Sequence, residues 1–146
     1  MKELNLNPNY SKVKLHNIKS NHYKIVARIN NTKGWFIVDT GASNTFIDNK
    51  SIEKFKLKYA DQNINAQGAG PNKIKAKVYK KNSIVIGSFK FKKAEIATID
   101  LSYVNNALVK ANLKEIDGVI GSDILKIGKA IIDFNNNYIY VKKVFH

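Results

Sequence analysis

Trp35-Phe36-Ile37-Val38-Asp39-Thr40-Gly41-Ala42-Ser43-Asn44 is the stretch from which the fold can be read. Four apolar residues in succession, two aromatic and two β-branched, describe a short strand buried on both faces. The strand runs into an acid, a hydroxyl and a glycine. A carboxylate at the end of a buried strand is costly unless it is hydrogen-bonded or shares a proton with a partner. Gly41 lacks a Cβ, which permits a sharp turn and the close approach of a ligand backbone. Such a junction is expected where a scaffold presents an acid for chemistry.

Upstream, residues 22–29 alternate in the manner of a strand, and Asn30-Asn31-Thr32-Lys33-Gly34 supplies turn chemistry. A hairpin therefore delivers Asp39. Residues 1–21 are polar, with Pro8 and several asparagines, and read as an N-terminal arm or an edge strand.

Downstream, residues 45–48 lead away as another short strand, and residues 49–55 fit a single helical turn capped by Asp48 or Asn49. Gln67-Gly68-Ala69-Gly70-Pro71 reads as a β-turn or as the mobile tip of a hairpin. Residues 73–79, 83–86, 89–91 and 94–99 follow as four short strands, with turns at Lys81-Asn82 and Gly87-Ser88. A succession of strands with hardly a helix argues for an all-β barrel or sandwich. Val104, Leu108 and Ala111 then recur at near-helical spacing within residues 101–113, which suits a short helix or helical loop.

Ile116-Asp117-Gly118-Val119-Ile120-Gly121-Ser122-Asp123-Ile124-Leu125 is the second decisive stretch. It reads as a buried strand, a glycine, and a helix start capped by Ser122 or Asp123. Residues 130–134 and 138–141, about Asn135-Asn136-Asn137, close the chain as a β-hairpin.

A chain of 146 residues is long enough to bury a core of its own, and residues 1–146 read as one domain. With no cysteine, disulfides, thiolate metal sites and cysteine nucleophiles are excluded. His16, His22 and His146 lack metal-ligand spacing, so neither a metal nor another cofactor is expected. The first residues lack the apolar core of a signal peptide, and no apolar run reaches membrane-spanning length. A soluble, cytoplasmic protein is expected, unless an export or anchor segment has been removed. The net charge of +14 raises nucleic acid as a partner, but of 25 basic residues only Arg28 is arginine. Lysines that alternate with apolar residues, as in Lys73-Ile74-Lys75-Ala76-Lys77-Val78, mark the solvent face of a strand. No specific nucleic-acid site is expected, although the charge biases the chain towards acidic partners or an anionic surface.

Asp39-Thr40-Gly41-Ala42-Ser43 after an apolar strand, Val119-Ile120-Gly121 before a short helix, and a glycine-rich segment between them resemble the retropepsin-like aspartic proteases. The resemblance covers roughly residues 25–141. It implies a single-lobed acid-protease barrel, homodimeric, with one short helix after Val119-Ile120-Gly121. It implies catalytic roles for Asp39, Thr40 and Gly41, Thr40 bonding across the two-fold axis and Gly41 offering its carbonyl to substrate. Ala42 and Ser43 would line the cleft, Gln67, Gly68, Ala69 and Gly70 would form the flap over bound peptide, and Ile120 and Gly121 would brace the loop beside the substrate. Retroviral members carry an acid at the position of Ser43 and an arginine at that of Ser122; serine at both suits the cellular or bacterial branch.

Peptide hydrolysis by carboxylates needs two of them sharing one proton. The chain has one Asp-Thr-Gly, and Asp117, Asp123 and Asp133 lack its context. A two-fold dimer supplies the second acid. The expected function is an aspartic endopeptidase acting on peptide or protein substrates through an Asp39 pair. The alternatives are a peptide-binding module of the same fold without activity, and a basic nucleic-acid-binding β-domain.

Overall fold

The computed structural model describes residues 8–18, 21–58, 60–65 and 75–143. Its elements are β1 (Tyr10–Lys14), β2 (His16–Asn17), β3 (Tyr23–Ile29), β4 (Thr32–Val38), β5 (Phe46–Asp48), β6 (Ala60–Asn65), β7 (Lys75–Ile86) and β8 (Phe89–Ile99). The helix α1 (Ser102–Lys110), β9 (Gly118–Ile120), the helix α2 (Ser122–Ile127), β10 (Ile131–Asp133) and β11 (Tyr138–Lys142) complete the order.

The hairpin that delivers Asp39 is β3–β4, and its turn is tighter than the composition suggests. Ile29 pairs with Thr32, leaving Asn30 and Asn31 alone at the tip. Their φ angles of 49° and 71° are left-handed, which asparagine tolerates and a two-residue hairpin requires. Thr32, Lys33 and Gly34, expected in the turn, therefore belong to β4.

Further expectations change in the middle of the chain. The four short strands between residues 73 and 99 are two long ones, β7 and β8, paired antiparallel. Lys81-Asn82 is a bulge within β7 rather than a turn: Lys81 has φ 60° and the pairing register shifts on both sides of Asn82. The Asn82 side chain is fully buried, and its Oδ1 accepts the Lys58 N–H at 3.0 Å and the Asn30 amide at 2.8 Å. Those bonds make the interruption affordable without ending the strand. Asp48 holds the N-cap position of the 3-10 turn at Asn49–Ser51 but makes no side-chain cap bond there. It is 3% exposed, and its carboxylate takes the Leu101 N–H at 3.3 Å and the Asn105 amide at 3.2 Å, tying α1 to β5.

Strand order in the larger sheet is β2-β3-β4-β9-β5-β8-β7-β6, and a β3–β7 pairing closes the strands from β3 round to β7 into a barrel. Ile25, Ile29, Phe36, Ile47, Ile84, Ile96 and Ile120 fill it, all fully buried. A second cluster lies outside, where Ile37 and Val119 meet Leu101 and Leu108 at α1. Phe36 and Ile37, adjacent on β4, thus enter different cores, which is the two-faced burial expected of that strand. Among the described residues α2 is the short helix expected after Val119-Ile120-Gly121 and α1 the one expected within residues 101–113, besides the 3-10 turn at Asn49–Ser51. Within the expected N-terminal arm, residues 10–14 and 16–17 form β1 and β2, and β1 joins β11 and β10 in a three-stranded sheet. Among the described residues no helix is long and apolar enough to cross a membrane.

Candidate functional site

The site is made by one crossing of the chain. β9 lies between β4 and β5, parallel to the first and antiparallel to the second. Residues 39–45 must therefore arch over the end of β9 to pass from β4 to β5. Where β9 leaves the sheet, the Asp39 N–H donates to the Ile120 carbonyl at 3.0 Å. The Ser122 N–H donates to the Ala42 carbonyl at 2.7 Å, and the Gly121 N–H to Thr45 Oγ1 at 3.0 Å.

Two glycines permit this contact. A Cβ at Gly118 would stand 2.3 Å from the Phe46 carbonyl oxygen. One at Gly121 would stand 2.6 Å from that of Asn44 and 2.8 Å from that of Ala42. The obstructing atoms are backbone, so no rotamer change could relieve them.

Thr45 and Asp123 complete the support, a pairing across 78 positions that no local sequence signal announces. The Asp123 carboxylate accepts the Thr45 N–H at 3.1 Å and the Thr45 hydroxyl at 2.8 Å. It also takes the Ile124 N–H at 2.8 Å. Asp123 is not the N-cap expected of it, and neither is Ser122; Gly121 occupies that position without a side-chain bond.

The predicted residues are brought together on two levels. Asp39, Thr40, Gly41 and Ser43 are exposed on the arch, with Ala42 half-buried among them. Ile120 and Gly121 are buried beneath, so their contact is with the arch itself. Gln67, Gly68, Ala69 and Gly70 lie outside the described residues. The Asp39 carboxylate accepts the Gly41 N–H at 2.9 Å through Oδ1, and the Asp39 carbonyl accepts that of Ala42 at 3.2 Å. Gly41 itself is unconstrained: its φ is not left-handed, and a Cβ there would meet only Asp39 Oδ1, at 3.3 Å.

Beside Asp39 opens a cavity of about 200 Å³ whose walls include His22, Tyr23, Val38, Thr40 and Phe134. Neither His22 nor Phe134 carries a sequence signal of this; they arrive from the start of β3 and the end of β10. Phe134 is 61% exposed and packs its ring against Tyr23 at 5.2 Å. The turn that holds it is fastened by Asp133, whose carboxyl lies below the usual range chiefly because the Asn136 side chain donates to it. Among the described residues no three histidine or acidic side chains gather in a way that could hold a metal ion.

The family model for aspartyl proteases matches residues 25–124. A retropepsin-like aspartic protease from Rickettsia conorii superposes with a TM-score of 0.57 over 95% of this chain and 96% of its own, at 23% identity. The retroviral protease-like domain of Ddi1 from Leishmania major gives 0.58 over 86% and 92%, at 17% identity. EIAV protease, in complex with the inhibitor HBY-793, gives 0.55 over 82% and 99%, at 16% identity. No curated protein matches the sequence. The likeness to these structures is one of fold, a retropepsin-like barrel.

Proposed function

The chain belongs to the aspartyl protease family, and on that premise we propose that it is an endopeptidase whose attacking water is activated by Asp39 of two copies. The observation that carries this reading is how little the chain asks of the Asp39 carboxylate. It stands exposed on a braced arch, and the one bond that it receives among the described residues comes from Gly41. The Asp123 carboxylate is committed to Thr45 and Ile124, which supports a second acid supplied by a second copy.

Two carboxylates at 4 Å repel by about 4 kcal/mol at an effective dielectric near 20, enough for such a pair to retain one proton. The ionised member takes a proton from water, and the protonated member polarises the scissile carbonyl. Thr40 would tie the two arches together across the axis. Gly41 would receive the substrate backbone, Ala42 and Ser43 would line the cleft, and residues 67–70 would cover it. The whole chain would act as one catalytic domain.

The second copy would dock along the edge of β10. Among the described residues β10 pairs with β11 alone, leaving its other edge without a neighbour beside Phe134 and the Asp39 cavity. Strand pairing across that edge would bury Phe134 and bring the arches face to face. Serine at positions 43 and 122 favours a second reading, a peptide-binding module whose copies do not pair productively.

Digestion of a peptide library, scored by mass spectrometry, separates the two. The Asp39→Asn variant should lose about 10³-fold or more of the wild-type rate while keeping its fold. Turnover retained in that variant overturns the mechanism. A wild-type chain that stays monomeric in ultracentrifugation and cleaves nothing favours the second reading.

A further inference from the structure

The outward face of β2, β3 and β4 carries a cluster that the proposed chemistry does not use. In β3 the inward residues are Ile25, Ala27 and Ile29, which leaves Lys24, Val26 and Arg28 pointing away from the barrel. On β4 the residues paired with Val26 and Arg28 are Trp35 and Lys33, and on β2 His16 pairs with Lys24. The Lys24 ammonium lies over the Trp35 ring at 4.7 Å from its centre, and that of Lys33 at 5.7 Å. The His16 ring meets the indole edge-on at 5.1 Å.

The acid closest to this cluster is already engaged: the Asp117 carboxylate accepts the Trp35 N–H at 2.9 Å and pairs with the Lys54 ammonium at 3.0 Å. Among the described residues neither Lys24 nor Lys33 has a carboxylate partner, in contrast to Lys50 and Lys54 elsewhere on the barrel. The local field also registers on His16, whose pKa is lowered by burial first and then by Lys14 and Lys24. Like charges converging about one aromatic ring, in a chain of net charge +14, form a face complementary to an anion.

The face narrows the choice of anion. A stacked nucleobase would have to occupy ring surface that the two ammonium groups already front. Insertion into a membrane needs apolar side chains projecting outward, whereas Trp35 is half-buried and the exposed Tyr103 and Val109 belong to α1. A carboxylate-bearing polypeptide needs neither, only ammonium groups spaced along a strand. Trp35 lies on the same strand that ends at Val38, next to Asp39, with Ile37 between them covered by the α1 cluster.

We propose that this face of β2, β3 and β4 docks an acidic segment of the polypeptide substrate. The proposal rests on the peptidase reading for the identity of its ligand, but its test does not depend on turnover.

Trp35 is the only tryptophan of the chain, so its emission reports on this face directly. The full-length Asp39→Asn protein, titrated with a glutamate-rich peptide, should show a saturable change in tryptophan emission that disappears in high salt. Replacing both lysines, Lys24→Glu with Lys33→Glu, should weaken that binding by about tenfold or more, and Lys24→Gln with Lys33→Gln by less. The glutamine pair guards against a folding defect, and circular dichroism checks both variants. With the wild type, kcat/KM should be higher for a peptide carrying an acidic flank than for its neutral counterpart, and the lysine variants should erase the difference. An unchanged emission, binding that ignores both lysine pairs, or tighter binding of single-stranded DNA or phosphatidylserine vesicles than of the peptide overturns the proposal. Absence of any peptidase activity with peptide binding intact would strike the protease reading and leave the docking face standing.

Discussion

Gly41 and Gly121 sit on the two segments that cross at the site, yet the molecule treats them in opposite ways. At Gly121 the fold itself demands glycine, because carbonyl oxygens of Asn44 and Ala42 occupy the space of a Cβ. At Gly41 nothing among the described residues does: the backbone is ordinary and the nearest atom is the Asp39 carboxylate. Their acids divide in the same way. Asp123 is taken up by Thr45 and Ile124, while Asp39 is exposed and, among the described residues, receives a single backbone donor. The lower segment is satisfied by its own chain and serves as a foundation. The upper one leaves room and bonding capacity over, which is what a ligand or a second copy would use.

Substitutions can break that contrast, and the foundation should give the largest effects on stability. Gly118→Ala puts a methyl against the Phe46 carbonyl with no side chain able to yield, and should cost above about 3 kcal/mol in chemical denaturation. Asp123→Ala removes both acceptors from the fully buried Thr45 and should cost about 2 kcal/mol. Peptidase activity should fall with it, since the arch loses its support. A smaller thermodynamic effect is expected above: Gly41→Ala should shift stability by no more than about 0.5 kcal/mol yet suppress turnover. An equal loss of stability at positions 41 and 118 would refute the division.

The smallest effect should come from the outer face. The His16 pKa is lowered in the fold, by burial and by Lys14 and Lys24, so the unfolded chain takes up a proton first as pH falls. That contribution to stability is complete above pH 6.5 and is lost as pH drops through the folded value. Thermal melts across this range should show a slope that His16→Asn reduces.

Much of this was legible in the residues. Alternation marked β3, the apolar run marked β4, and Gly118 to Leu125 read as strand, glycine and helix. The glycine-rich segment at 67–70 lies outside the described residues. What the sequence hid was pairing at a distance. Lys81-Asn82 has the composition of a turn, and only the bonds of Asn82 to Lys58 and Asn30 turn it into a bulge. Asp48 reads as a cap because capping is local, whereas its partners Leu101 and Asn105 come from a helix more than fifty residues away. Phe134 and His22 gave no sign of reaching the Asp39 cavity.

By itself, then, the sequence determined the strands, the two decisive stretches and the acid between them, because these follow from local periodicity and residue chemistry. The tertiary structure alone decided that β9 passes beneath the arch, that Thr45 and Asp123 fasten it, and that lysines from separate strands surround Trp35. Those outcomes depend on which strands become neighbours in the closed barrel, and neighbourhood across a sheet is a property of the whole chain.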